Sequence, residues 1–339
     1  MRLFSAATMD LAGLARHILS KDCHSIAILS GAGVSVASGI PDFRSPGGMY
    51  DTLRPELLTA SETERSLMAQ DPTYVVSWQI FSKNPLPYLE VRRPFILGTR
   101  ERKWKPTIAH RFAELLHVKT KKLTRVYTQN IDGLDRQCNQ LPSNKIVSVH
   151  GSLSQVACEG CGHEADFDEF CDRLQKQIKD IYHQDKNAPS TSTPISCERC
   201  RRPLVKPTTV LFGRNLPTQF FECAQRDLPN LDVLIVAGTS LVVSPANSLV
   251  YQVSETCLRV IVNQEPVGRE LGIEYKDSNS DSNCRKLGRD LFVQGNCDEI
   301  FLELIQHLGW LDDLAKMADQ LPPNSFELVR QAIEGEKST

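Results

Sequence analysis

The stretch Ser25-Ile-Ala-Ile-Leu-Ser30-Gly31-Ala-Gly33-Val-Ser35 decides the architecture. Its unbroken apolar run leaves no polar face, as in a strand buried on both sides of a parallel sheet. The run ends at once in glycines. A Gly-rich turn after such a strand lets the backbone approach a dinucleotide pyrophosphate at a helix N-terminus. Taken alone, Gly31-x-Gly33 fits a plain tight turn equally well. The third glycine falls at Gly39, too late for the standard fingerprint, and no acidic second-strand end follows.

Outward from this stretch, further strands are expected at Thr124–Thr128, Ile146–Val149, Val233–Ala237 and Arg259–Val262. Helical apolar spacing marks residues 8–20 and about 109–117, 217–226, 245–253 and 298–309. Such alternation predicts an α/β fold, a Rossmann-like parallel sheet with helices on both faces. Residues 158–200 break the pattern. They hold Cys158-Glu-Gly-Cys161, Cys197-Glu-Arg-Cys200 and a polar low-complexity stretch, His183 to Pro194, expected to be a flexible tip. Four thiolates in two knuckles close tetrahedrally around zinc with no open position, so the metal is expected to be structural. His163 is a weaker rival ligand for a three-Cys, one-His site. The expected domains are a discontinuous sheet domain (1–50, 106–157, 201–310), a helical part (51–105), a zinc module (158–200) and a helical tail (311–339) interrupted at Pro322-Pro323. Residues 274–289 read as an exposed loop.

The chain has 339 residues, 41% hydrophobic and 24% charged, with a formal net charge of −2. That balance gives no electrostatic drive toward nucleic acid or an anionic membrane. No window is apolar enough for a transmembrane helix. Eleven cysteines less four zinc candidates leave seven, which read as reduced core thiols. With no secretory signal, an intracellular compartment is expected, cytoplasm or nucleus before mitochondrion.

Polar side chains then recur at strand ends, where open α/β sheets bind ligands. His150 ends the run Lys145-Ile-Val-Ser-Val-His150 and is the first candidate for chemistry. Gln129-Asn130-Ile131-Asp132-Gly133 follows another strand and suits ribose hydroxyls and a carboxamide, although an Asx turn has the same residues. Gly238-Thr239-Ser240 and Asn263-Gln264-Glu265 follow two more and fit phosphate and ribose contacts. Pro41-Asp42-Phe43-Arg44 is charged, rigid and aromatic, suited to lining a cleft, with Gly47-Gly48 as a hinge. His110, at a helix start, reads as structural.

The segments GAGVSVASGIPDFRSP, YTQNIDGLDRQC, VHGS, the two knuckles, KPTTVLFGRNLP, AGTSLVVSPANSLV and IVNQE stand in the order found in sirtuins. The chain resembles a Sir2-family NAD-dependent protein-lysine deacylase, most like class I, from about residue 8 to 310. The resemblance implies NAD as co-substrate, one structural Zn2+ on Cys158, Cys161, Cys197 and Cys200, and acylated-lysine proteins such as histones as partners. It implies that Gly31, Ala32, Gly33, Val34, Ser35, Asp42, Phe43 and Arg44 line the NAD loop, with Phe43 as a lid. Gln129, Asn130, Ile131 and Asp132 would surround the nicotinamide ribose. Gly238, Thr239, Ser240, Asn263, Gln264, Glu265 and Cys297 would hold the adenosine half. Val210, Leu211, Phe212 and Gly213 would pair with the substrate peptide, opposite Val243–Ala246. His150 would be the catalytic base, taking a ribose hydroxyl proton after the acyl oxygen has displaced nicotinamide, and Asn130 would share the catalytic site. Products would be free lysine and an O-acyl-ADP-ribose. A mono-ADP-ribosyltransferase would share the NAD chemistry, and a zinc-ribbon scaffold would need none of it.

Three departures from the family pattern stand out. Arg214 replaces a common Glu beside the substrate strand. The knuckle spacing is long, so 171–195 is expected to elaborate the zinc module. Residues 88–105 are basic, with Arg92 and Arg93 near the acyl pocket, where desuccinylases use an arginine and a tyrosine. No Tyr-x-x-Arg pair follows Asn84-Pro85. The expectation is therefore surface arginines, an apolar acyl tunnel and preference for acetyl over succinyl.

Overall fold

A computed structural model describes residues 9–40, 50–275 and 288–336. The expectations on Pro41-Asp42-Phe43-Arg44, the Gly47-Gly48 hinge, Cys284 and most of the 274–289 loop lie outside the described residues.

Six strands form one parallel sheet. They are β1 (Ile26–Ser30), β2 (Leu123–Thr128), β3 (Ile146–Ser148), β7 (Val233–Ala237), β8 (Leu258–Asn263) and β9 (Asp290–Gln294). Their order is β3-β2-β1-β7-β8-β9. Alternate residues serve opposite faces, as the two-residue period requires. Ile26, Ile28, Val126, Val233, Ile235 and Val260 join one core with the helices Leu11–Leu19, Ile108–Thr120 and Cys297–His307. Ala27, Leu29, Tyr127, Leu234, Val236 and Ile261 join another with Thr218–Asp227 and Leu249–Gln252. Both faces are thus covered, which is why the central strands read as continuous apolar runs. The fold is the Rossmann-like α/β class expected from the sequence.

A third core lies outside this sheet and joins residues 58–97 to residues 153–211. Its sheet has three short antiparallel strands in the order β5-β4-β6, with β4 at Val156–Cys158, β5 at Glu164–Ala165 and β6 at Val205–Pro207. Against it packs the helix Leu86–Arg100, which carries Pro94 in its interior.

Three contacts tether His183–Pro194, the stretch read from the sequence as a flexible tip. Asp185 pairs with Arg93 at 2.6 Å, and Ser192 donates to Glu90 at 2.6 Å. Thr193 N–H donates to the Gln177 carbonyl at 2.8 Å. Most of the segment is exposed, as its polar composition suggests, but Asp185 and Ser192 tie it to the helix Leu86–Arg100.

The tail is helical at Leu311–Ala315 and Pro323–Glu336, and Val329 and Ser325 are buried against the main core. Six of the seven remaining cysteines (Cys23, Cys138, Cys171, Cys223, Cys257 and Cys297) are buried free thiols. Among the described residues no helix is long and apolar enough to cross a membrane.

Candidate active site and metal centre

The carboxyl ends of all six parallel strands open into one cavity of about 1660 Å3. Gly31, Gln129, His150, Gly238, Gln264 and Gly295 line it, each at or just beyond its strand. The strand order reverses direction between β1 and β7, and such a switch point leaves a crevice above the sheet.

Two loops meet there by their backbones. Gly33 N–H donates to the Gly238 carbonyl at 2.8 Å. A Cβ on Gly33 would lie 2.5 Å from Gly238 Cα, and one on Gly31 would lie 2.6 Å from the Gly238 oxygen. The sequence suggested glycines for phosphate approach; the structure also gives them a loop-to-loop contact that no side chain permits. Gly238 has φ +59°, a left-handed conformation that favours glycine.

Hydrogen bonds knit the polar residues together. Asn130 Nδ2 donates to the Gly31 carbonyl at 2.9 Å and to Ser35 Oγ at 3.1 Å. Ser35 Oγ donates to Asp132 Oδ2 at 2.8 Å. Gln129 Nε2 donates to Thr239 Oγ1 at 2.9 Å. Burial lifts the Asp132 carboxyl above the ordinary aspartate range, opposed chiefly by the nearby His110. His110 itself is buried and caps its helix, accepting from Thr107 N–H at 3.2 Å.

His150 has a defined tautomer. Its Nδ1 lies 2.9 Å from the Gln129 carbonyl oxygen, which can only accept. Nδ1 therefore carries a proton, and in the neutral ring Nε2 holds the lone pair that a general base needs.

The structure brings most of the residues singled out from the sequence to one wall. Ala32, Ser35, Asn130, Ile131, Asp132, Thr239, Ser240, Asn263, Glu265 and Cys297 line the cavity with the strand-end residues. Val34 does not; its side chain is 4% exposed and packs in the main core. Val210, Leu211, Phe212 and Gly213 line the cavity, as do Val243, Ser244 and Pro245. Val210 N–H donates to the His150 carbonyl at 2.8 Å. Phe212 exchanges backbone bonds with Val76 (3.0 Å) and Trp78 (2.9 Å).

The surface reading of Arg92 and Arg93 is overturned. They are 5% and 3% exposed. Arg93 is held by Asp185, from a loop far away in sequence. Arg92 lines the cavity beside Tyr88, whose hydroxyl lies 2.6 Å from Thr209 Oγ1. Burial pushes the Tyr88 hydroxyl up, and the Arg92 charge opposes this. Sequence reading passed over Tyr88 because its partner, Arg92, stands four residues on, one helical turn, and not three.

The four knuckle cysteines form the metal centre. Their sulfurs all lie within 4.8 Å of one another. The Cys158–Cys200 and Cys161–Cys197 separations are 3.6 and 3.7 Å. A tetrahedral Zn–S4 site with bonds of about 2.3 Å has edges of about 3.8 Å, so the donors fit zinc. A backbone N–H from Arg202 pulls the Cys200 thiol down to about 6, toward the thiolate a metal takes. His163 is not among the four, which closes the three-Cys, one-His alternative.

Comparison with known proteins agrees with this geometry. The model of the Sir2 family matches residues 31–245. The NAD-dependent protein deacetylase sirtuin-2 of Danio rerio is 33% identical over 315 residues, covering 91% of this chain and 74% of its own. The NAD-dependent protein deacetylase hst2 of Schizosaccharomyces pombe is 34% identical over 297 residues, covering 87% and 75%. The NAD-dependent deacetylase sir2A of Dictyostelium discoideum is 35% identical over 298 residues, covering 88% of this chain and 51% of its own. With its parallel sheet, its cavity at the switch point and its four-cysteine centre, the chain belongs to the Sir2 family.

Proposed function

We propose that the chain is an NAD-dependent protein-lysine deacetylase, with His150 as general base and Asn130 beside it in the catalytic site. The hydrogen bond from His150 Nδ1 to the Gln129 carbonyl carries this reading, because it presents Nε2 as the basic atom of a cavity that also holds Asn130 and Asp132. Bound NAD supplies the ribosyl carbon that accepts the acyl oxygen as nicotinamide departs. Gln129, Asn130, Ile131 and Asp132 take the nicotinamide ribose. Gly238, Thr239, Ser240, Asn263, Gln264, Glu265 and Cys297 take the adenosine half, and residues 31–35 the phosphates between them. Segment 210–213 takes the peptide by β-addition, which reads backbone and tolerates many sequences. Acetylated proteins, histones among them, are the substrates.

Relatives named as NAD-dependent deacetylases support the reading, and so does a basic nitrogen that a mono-ADP-ribosyltransferase has less need of. The test is nicotinamide release from NAD with and without an acetyl-lysine peptide. Peptide-dependent release, with free lysine and O-acetyl-ADP-ribose in equal amounts, is expected. ADP-ribosylated peptide with no free lysine would favour the transferase, and no NAD consumption would favour the scaffold.

One observation favours a broader acyl range than acetyl. Arg92 puts a cation on the wall beside Tyr88 and Thr209. A carboxylate at the end of an acyl chain would meet a charge-assisted donor there.

A further inference from the structure

Among the described residues, the charged side chains of the cavity wall are segregated by sign. Asp132, Glu265, Asp298, Glu299 and Glu327 come from loops at the large sheet's edge and from the C-terminal helices. Arg92 comes from the helix of the smaller core, and Arg214 directly follows the 210–213 segment.

Arg214 is held in place but not covered. Its guanidinium lies 4.7 Å from the centroid of the Trp78 ring. Its Nη2 lies 3.3 Å from Glu159 Oε2, and the side chain is 45% exposed. Glu159 is shared: its other oxygen lies 2.9 Å from Nζ of the buried Lys206. One carboxylate thus faces two cations, the buried Lys206 at 2.9 Å and the half-exposed Arg214 at 3.3 Å, so Glu159 does not fully neutralise Arg214.

Backbone geometry places that charge on the path of a peptide. Both backbone polar groups of Phe212 are spent on Val76 and Trp78. On the alternate register Leu211 N–H faces the opposite edge, while its carbonyl accepts from Arg214 N–H at 3.0 Å and closes a turn at Gly213, where φ is +86°. A peptide added along that edge passes His150 near Val210 and Arg214 at the other end.

We propose that Arg214 is a specificity determinant that favours acyl-lysines flanked, on one side, by acidic residues. This rests on the deacetylase reading above. The guanidinium, oriented by the indole and by Glu159, meets a substrate carboxylate without having to be ordered first.

The test uses the full chain with NAD and acetyl-lysine peptides of equal length. Glu, Gln or Lys is placed two and three residues from the acetyl-lysine, on one flank at a time. The kcat/KM ratio of Glu to Lys peptides should be about fivefold on one flank and near unity on the other, as expected for partly exposed ion pairs. It should shrink in 0.5 M salt, about the ionic strength that screens such pairs. Arg214→Glu should invert the ratio, and Arg214→Ala should bring it near unity. Equal turnover of Glu and Lys peptides, or a ratio that survives in Arg214→Glu, overturns the assignment while leaving the deacetylase reading intact. Failure of the Gln peptides to be deacetylated at all overturns both.

Discussion

His150 is tied to Gln129 through Nδ1 and the carbonyl oxygen, 2.9 Å apart, so the strand end that follows β2 sets the tautomer of the residue that follows β3. These strands are neighbours in the sheet. The proposed base is thereby oriented by main chain, which no point substitution of Gln129 removes.

His150→Ala should lower deacetylation by at least about 10²-fold, the usual scale for loss of a general base. Exchange of labelled nicotinamide into NAD should persist in part, because the displacement of nicotinamide needs no proton taken from the ribose. Deacetylation near the wild-type rate in this variant would remove His150 from its role. Gln129→Ala should keep the imidazole tautomer and act on NAD affinity instead, seen as a raised KM for NAD.

Zinc removal should act at a distance. Cys158 ends β4, which pairs with β6, and β6 runs on through Lys206 to Val210 beside His150. Lys206 Nζ also donates to the Thr209 carbonyl at 2.6 Å. Structural zinc contributes folding free energy of roughly 10 kcal/mol or more, so chelation or Cys158→Ser should unfold the smaller core and abolish activity. Elemental analysis should give about one zinc per chain. A metal-free protein with an unchanged melting profile and full activity would contradict the assignment.

Asp135 supplies a pH-dependent stability term. It is 4% exposed, and burial raises its carboxyl to about 6, against about 3.9 in an unfolded chain. The folded state therefore binds this proton more tightly. The stability it contributes is fully present below about pH 4 and is lost as pH rises through about 6. Asp135→Asn has no such proton to lose. Relative to the variant, the wild type should lose up to about 3 kcal/mol between pH 4 and 7, measured by urea denaturation of both proteins. A constant difference across that range would mean the carboxyl is not perturbed in the folded state.

The sequence shows β1 and β7 clearly because burial on both faces leaves them apolar apart from the terminal Ser30. It hides β9, an edge strand of which only Leu291 is buried, so it has no continuous apolar run. It also hides the strands of the zinc module, which are only two or three residues long. Strand-end polar residues are legible as a site because a core cannot hold them unpaired. Arg92 and Arg93 are not. Their burial depends on a helix interrupted in sequence by Pro94, and Arg93 depends on Asp185, which no local pattern connects to it.

Acyl choice is where that missed burial changes the outcome. Surface arginines and an apolar tunnel would make succinyl-lysine a poor substrate, since burying an unpaired carboxylate costs several kcal/mol. Arg92 instead stands on the cavity wall with Tyr88, whose hydroxyl meets Thr209, the residue before the proposed substrate segment. Succinyl-lysine should therefore be turned over within about tenfold of acetyl-lysine in kcat/KM, a gap of only about 1.4 kcal/mol. Arg92→Leu should shift the acetyl-to-succinyl ratio by at least about tenfold toward acetyl, through loss of the charge-assisted pair. Arg93→Leu should not shift the ratio. Its guanidinium belongs to Asp185, and the variant should be less stable because that carboxylate loses its partner. An acetyl preference far above tenfold in the wild type, unchanged by Arg92→Leu, would show that the Arg92 charge does not reach the acyl chain.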